Sequence, residues 1–158
     1  MIRKRKTKSS RQDFTQGFYN IQNPKKYLGK KPPIYRSSWE YRLMIYLDES
    51  SKITYWNSES FSIQYYDPVR NRKRNYFPDF FIIRDGVRII IEVKPSRETK
   101  QPRKTPKKKQ STLLYEQMTY ATNQAKWEAA KVYCKKKGWE FEIMTEKDLD
   151  RLINNRDK

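Results

Sequence analysis

Histidine is absent from this 158-residue chain, and cysteine occurs once, at Cys134. One thiol closes no disulfide within a chain, and the lack of a Cys/His set excludes an ordinary zinc site. General acid–base work must therefore fall to carboxylates, lysine, tyrosine or a water activated by a metal. Long apolar runs are also missing, so no segment has the length of a transmembrane helix. The opening Met1-Ile2-Arg3-Lys4-Arg5-Lys6 is basic but has no apolar stretch of the kind a signal peptide needs. The expectation is a soluble protein that stays inside the cell that makes it and uses no membrane. Acidic residues are few: 18 against 36 Lys and Arg, a formal net charge of +18.

Such a chain repels itself when compact and attracts polyanions. Nucleic acid is the default partner and an anionic membrane surface the rival. Aromatic residues make up 15% of the chain, too many for a disordered basic tail. The length fits one domain with a single core and a little extra.

Residues 1 to 36 are polar and basic, with Pro24, Pro32 and Pro33. They read as an irregular arm that grips phosphate or, more plainly, as a disordered leader. A folded domain is expected over 37–154. Ser37-Ser38-Trp39-Glu40 has the form of a capping box, with Ser37 as cap and Glu40 at the third helical position. Trp39, Leu43, Tyr46 and Leu47 follow on one helical face, to about Asp48. Ile53–Trp56 and the alternating Phe61–Tyr66 are strand-like, and Asp67-Pro68 opens a turn through Arg70, Asn71 and Arg72. Tyr76 to Arg84 and Val87 to Lys94 are the strongest strands, joined by Asp85-Gly86, a two-residue hairpin signal. Residues 95–110 form a basic, low-complexity loop that can bury nothing. Loops of that length are functional or disordered. Thr112 to Lys137 reads as a long helix stopped by Gly138, with Lys135, Lys136 and Lys137 suited to its C-terminus. Trp139–Met144 is a further strand, and Thr145 with Asp148 caps a final helix to about Ile153. The order is helix, antiparallel meander, long helix, strand, helix. It predicts an α+β domain, an α/β/α sandwich-like body with one mixed central sheet flanked by helices.

The Asp85-Gly86 turn sets a register. Arg84 faces Val87, Ile82 faces Ile89, Phe80 faces Ile91, and the count carries Asp79 opposite Glu92. Cross-strand Cβ atoms stand roughly 4.5–5.5 Å apart, where like charges destabilise. Phe80, Phe81, Ile90, Ile91 and Val93 surround the pair, so it needs a proton or a cation between its members. A divalent ion with hard oxygen ligands answers this, Mg²⁺ above all, with Mn²⁺ able to substitute. Lys94 shares a strand face with Glu92 and can neutralise charge developing on a phosphate. Glu40 borders the apolar stripe of its helix and points towards the sheet. Each residue also has a plainer reading. Glu40 closes a capping box, Asp79 is a turn residue after Pro78, and Glu92 with Lys94 is an ion pair at a strand end. Together, at matched register, they favour a metal site.

Pro78-Asp79, a hairpin and Glu92-Val93-Lys94 resemble the motif of PD-(D/E)XK, restriction-endonuclease-like nucleases, with Asp79, Glu92 and Lys94 at its acidic, acidic and lysine positions. Glu40 matches the glutamate that many members carry on the first core helix. The wider context resembles the TnsA-type transposon endonuclease domain and the related head-completion nucleases of large tailed phages. That context is Ser38-Trp39-Glu40-Tyr41, Leu47-Asp48, Gln64-Tyr65, Tyr76-Phe77-Pro78-Asp79-Phe80, Ile91 to Pro95, Asn123, Lys126-Trp127 and Phe141 to Glu146. It spans about Arg36 to Leu152, and the small size favours the phage kind.

The resemblance implies Mg²⁺-dependent phosphodiester hydrolysis leaving 5′-phosphate ends. The ion would be held by Asp79, Glu92 and the Val93 carbonyl, with Glu40 on it directly or through water. It also implies a role in finishing DNA-filled heads before tails attach, in the host cytoplasm during assembly and even in the virion, beside other head or portal proteins. Arg70, Arg72, Lys73 and Arg74 of the turn, Lys104, Lys107 and Lys108 of the loop and Lys126 of the long helix would meet the DNA backbone without reading sequence. For Lys126 and Lys131 a solvated helix face is an equal alternative. Three other readings stay open: a non-catalytic DNA-capping component of the head, a transposon-type strand-cleaving subunit, and an RNA-directed protein whose aromatic strands stack bases.

Overall fold

The computed structural model describes residues 16–155. A small two-stranded ribbon pairs β1 (Gly17–Phe18) with β2 (Ile34–Tyr35). Helix α1 (Ser38–Glu49) follows, then β3 (Ile53–Ser58), β4 (Ile63–Asp67), β5 (Arg72–Tyr76), β6 (Phe80–Arg84) and β7 (Val87–Val93). The long α2 (Gln110–Lys137), β8 (Glu140–Met144) and α3 (Glu146–Asn154) complete the chain. The central sheet is mixed, in the order β3-β6-β7-β8, with β8 parallel to β7 and the other pairs antiparallel. The fold is α+β, a mixed central sheet flanked by helices, as expected.

Period-two alternation along β7 sends Ile89, Ile91 and Val93 to one face of the sheet and Ile90 and Glu92 to the other. The first face packs under α1 and α3, with Leu43, Met44, Leu47, Trp56, Phe80, Ile82, Met144 and Leu149. The second packs under α2, where Ile90 meets Ala130, Cys134, Ile63, Tyr65 and Tyr76. Two layers of helix around one sheet thus bury both faces, and Glu92 stands in the α2-side layer.

Local signals explain the hairpin and the caps. Asp85 and Gly86 both have positive φ, 49° and 77°, the geometry that matches a two-residue loop to strand twist and is easy for Gly. The β6–β7 register runs from Arg84↔Val87 to Phe80↔Ile91 as the turn predicts. The Ser37 side chain accepts from Glu40 N–H, and Thr145 with Asp148 forms a reciprocal capping box. Gly138, at φ 69°, ends α2 in the left-handed conformation.

Four expectations need correction. The predicted strand from Tyr76 to Arg84 is two strands, broken at Phe77-Pro78-Asp79. Pro78 has no N–H for a ladder, and the chain leaves the β4–β5 hairpin there to enter the central sheet. That hairpin is a separate two-stranded sheet, so β3 pairs with β6 and the strands are not a simple meander.

The irregular arm is, from residue 16, packed on the body; its earlier part lies outside the described residues. Tyr19 is buried and donates to Asp48 Oδ2 at 2.9 Å, while the Gln22 and Asn23 N–H groups donate to the same carboxylate at 2.7 and 3.0 Å. Asp48, fully buried at the end of α1, is the anchor.

The 95–110 segment is not featureless either. A 3-10 turn at Ser96–Thr99 is tied to α3 by Ser96 N–H and Oγ donating to Glu146 at 2.8 and 2.7 Å, and α2 starts two residues earlier than expected. Among the described residues no helix is long and apolar enough to cross a membrane.

Candidate active site

The site forms where β7 ends and β6 begins, on the α2 side of the sheet. The ladder closes at Phe80↔Ile91, so Asp79 lies one step beyond it. Its Oδ2 turns back to accept the Val93 N–H at 2.7 Å, which sets it beside Glu92. The expected adjacency therefore arises from a side-chain hook at the strand end and not from a ladder pair. Val93 serves there as a backbone donor.

Glu92 is 5% exposed. Its Oε2 accepts from the Tyr76 hydroxyl at 2.5 Å, and its Oε1 stands 3.7 Å from Lys94 Nζ. Lys94 thus shares the face of Glu92, as strand period demands. Tyr76 belongs to β5, in the separate hairpin, so strand alternation within the sheet gives no hint of its contact.

The two carboxylates are poorly compensated. Burial, then the charge of Glu92, push the Asp79 carboxyl well above its ordinary value against the single Val93 donor. Burial also raises Glu92, opposed by the Tyr76 hydroxyl and by Lys94 and Lys126. Tyr76 is pushed far up by burial and by Glu92, and so stays a hydrogen-bond donor. Two desolvated carboxyls with so few donors keep oxygen lone pairs that can take a cation.

Lys126 projects from α2 into this layer. Its Nζ lies 6.0 Å from the ring centre of Tyr65 and 5.7 Å from that of Tyr76, within cation–π range. Burial lowers its pKa, while Glu92 pulls it up. Of the two readings open from sequence, the solvated face is the one the packing replaces. The signal that could have found it is its spacing from the buried Asn123, Trp127 and Ala130, which puts it on the border of the buried stripe of α2.

Glu40 approaches from α1, on the other side of the sheet. Its carboxylate accepts the Arg36 N–H at 2.8 Å, one residue earlier than a reciprocal capping box would have it. Burial raises its pKa, and the charges of Glu59 and Glu92 add to this. Arg36 grips Glu59 with two bonds of 3.0 Å, adding a cation at this edge that sequence reasoning did not single out.

No three acidic or thiol side chains among the described residues converge closely enough to cage an ion. The donor set suits a hard divalent cation held by Asp79 and Glu92, with water filling the rest of its shell, as Mg²⁺ prefers.

The basic residues sort into two groups. Arg70 and Arg74 are not free: both bind Asp67 Oδ2, at 3.0 and 3.2 Å. Asp67 also accepts the Val69 and Arg70 N–H groups, at 2.9 and 3.2 Å. These two arginines staple the hairpin. Lys108 is likewise engaged, with Glu116 at 2.7 Å and the Arg103 carbonyl at 2.7 Å, and Lys104 donates to Gln110. Arg72, Lys73 and Lys107 are exposed. Gln64 is exposed on β4.

A family model described as "TnsA-like endonuclease N terminal" matches residues 50–146. That span holds Asp79, Glu92, Lys94 and Lys126; Glu40 precedes it. The head completion nuclease of Enterobacteria phage T4 is 36% identical over 137 residues, covering 82% of this chain and 90% of that protein. With more than half of its length matched by the family model and most of it aligned to such a relative, the chain belongs to the TnsA-like endonuclease family.

Proposed function

We propose that this protein is a divalent-metal-dependent DNA endonuclease acting in phage head completion, the role for which its T4 relative is named. The carrying observation is the pairing of buried Glu92 with half-buried Asp79, both carboxyls held above their ordinary range, with Lys94 and Lys126 beside them. Asp79 and Glu92 would hold Mg²⁺, or Mn²⁺ in its place, with the Val93 carbonyl as a third oxygen and Glu40 acting through water. Bound there, the ion supplies the Lewis acidity that makes water a nucleophile near neutral pH and offsets charge building on the phosphate.

The chain's own groups do the rest. Tyr76 fixes the Glu92 carboxylate by donating to Oε2 and leaves Oε1 towards Lys94. Lys94, about a quarter exposed, orients the attacking water and stabilises the five-coordinate phosphate in the transition state. Lys126 is placed to hold a non-bridging phosphate oxygen over the Tyr65 and Tyr76 rings. Arg72, Lys73 and Lys107 draw the backbone in without reading sequence. Lys104, Lys108, Arg70 and Arg74 shape the surface while bonded to protein partners.

The test is cleavage of plasmid and branched DNA by the purified chain with Mg²⁺, with EDTA, and as Asp79→Asn or Glu92→Gln. Cleavage by the wild type with metal alone supports the reading. Salt-sensitive DNA binding by every form, with no cleavage of any substrate, would replace it with a non-catalytic capping role in the head.

A further inference from the structure

Beside the carboxylate site, and separate from it, the 96–108 segment and the first half of α2 enclose an open cleft of about 1180 Å³. Its lining includes Ser96, two residues after Lys94, and Asn123, three before Lys126. One end of the cleft therefore borders the proposed site. The segment contributes Arg97, Lys100, Arg103 and Lys108, and α2 contributes Tyr115 and Tyr120.

Lys108 is spent on Glu116. Arg97, Lys100 and Arg103 form no ion pair among the described residues. Glu98 is the only acid of the lining left to oppose them. Tyr115 is 72% exposed at this surface. Drug-sized ligands occupy sites of about 300–1,000 Å³. The cleft thus has room for a few nucleotides. Cations tracking a backbone, interleaved with aromatic faces, make a surface that suits unpaired nucleic acid: every base has a face to stack, and phosphates follow the charge.

We infer that this cleft receives an unpaired DNA strand adjoining the scissile position. Arg97, Lys100 and Arg103 follow its phosphates, and Tyr115 and Tyr120 stack on its bases. The inference rests on the nuclease reading for its biological use, and it makes the substrate a junction of duplex and single strand, such as a flap or an overhang, in preference to blunt duplex.

The test uses the full chain. Fluorescence anisotropy measures binding of a short single-stranded oligodeoxynucleotide, a blunt duplex and a flapped duplex, and cleavage of the two duplexes is followed with Mg²⁺. Tyr115→Ala with Tyr120→Ala should weaken single-strand and flap binding about tenfold or more and leave blunt-duplex binding within about twofold; the Tyr→Phe pair should retain the wild-type preference. Equal losses on all three DNAs, no loss on any, or Phe variants as poor as Ala variants would overturn the inference. RNA of the same sequence binding as tightly would overturn the choice of DNA. A wild type that cuts nothing yet binds single strands in a tyrosine-dependent way would sink the nuclease reading and leave the cleft assignment standing.

Discussion

Asp67 and the Asp79–Glu92 pair are two acidic centres set into the fold, and their environments drive them in opposite directions. Burial works to raise Asp67, yet Arg70, Arg74 and two backbone N–H groups outweigh it and hold its carboxyl below the ordinary range. Asp79 has the Val93 N–H and Glu92 the Tyr76 hydroxyl and the Asp79 backbone, yet burial still raises both. The donors of Asp67 outweigh its burial; those of the pair do not. Burial of a carboxylate therefore says little about function until its donors are counted.

The largest expected effect lies in the pair. Asp79→Asn or Glu92→Gln should lower cleavage by about 10³-fold or more, since ion-held phosphate chemistry is worth several kcal/mol at about 1.4 kcal/mol per tenfold. The same Asp79→Asn should stabilise the metal-free protein, because it removes a charge that burial and Glu92 disfavour. A Tm rise of about 2–4 °C corresponds to ~1 kcal/mol in a chain of this size. A fall in metal-free Tm would break the comparison. Asp67→Ala should do the reverse, costing ~2–3 kcal/mol in denaturant unfolding as its donors lose their acceptor.

Acid should separate the two centres as well. Stability from Asp67 is fully present above the unfolded carboxylate value near 4 and is lost as pH falls through its lower folded value. The pair's raised values mean that the folded state holds protons more tightly than the unfolded one. The metal-free protein therefore gains stability from the pair as pH falls through those values and loses it as pH rises through them. Melting curves across pH should show the upper limb flattened by Asp79→Asn and the acid limb altered by Asp67→Asn. An upper limb unchanged by Asp79→Asn would mean the pair is compensated after all.

A smaller effect is expected at Lys126. Lys126→Ala should lower single-turnover cleavage about 10- to 100-fold with little change in fold, as loss of one phosphate-facing cation does. An unchanged rate would return Lys126 to a packing role. The smallest effect concerns free and paired arginines. Arg72→Ala should reduce the slope of log K against log salt by about 0.9 if it meets one phosphate. Arg70→Ala should show chiefly as lost hairpin stability, because Asp67 already holds it. Equal slopes for the two would erase the distinction between staple and grip.

Much of the site is legible in the amino-acid sequence, for local reasons. Asp85-Gly86 dictates its own backbone and hence the β6–β7 register as far as Phe80 and Ile91, one step short of Asp79, whose hook on the Val93 N–H completes the approach to Glu92. Period two along β7 puts Lys94 with Glu92. The cap at Ser37 starts α1 in a place that leaves Glu40 near the strand ends. What is not legible there depends on groups brought together from separate elements. Tyr76 reaches Glu92 from another sheet, and Asp48 collects donors from Tyr19, Gln22 and Asn23. The break at Pro78 is hidden by apolar residues on both sides of it, which read as one strand.

The sequence by itself determined the charge, the absence of histidine chemistry, the hairpin register and the caps, because each follows from composition or from a few consecutive residues. Only the tertiary structure decided which cations are free and which are tied to carboxylates, that Lys126 faces the acidic pair, and that the basic 96–108 segment walls a cleft with α2. Those outcomes depend on distances between residues remote in the chain, where burial and donor count, and not local spacing, set the energy.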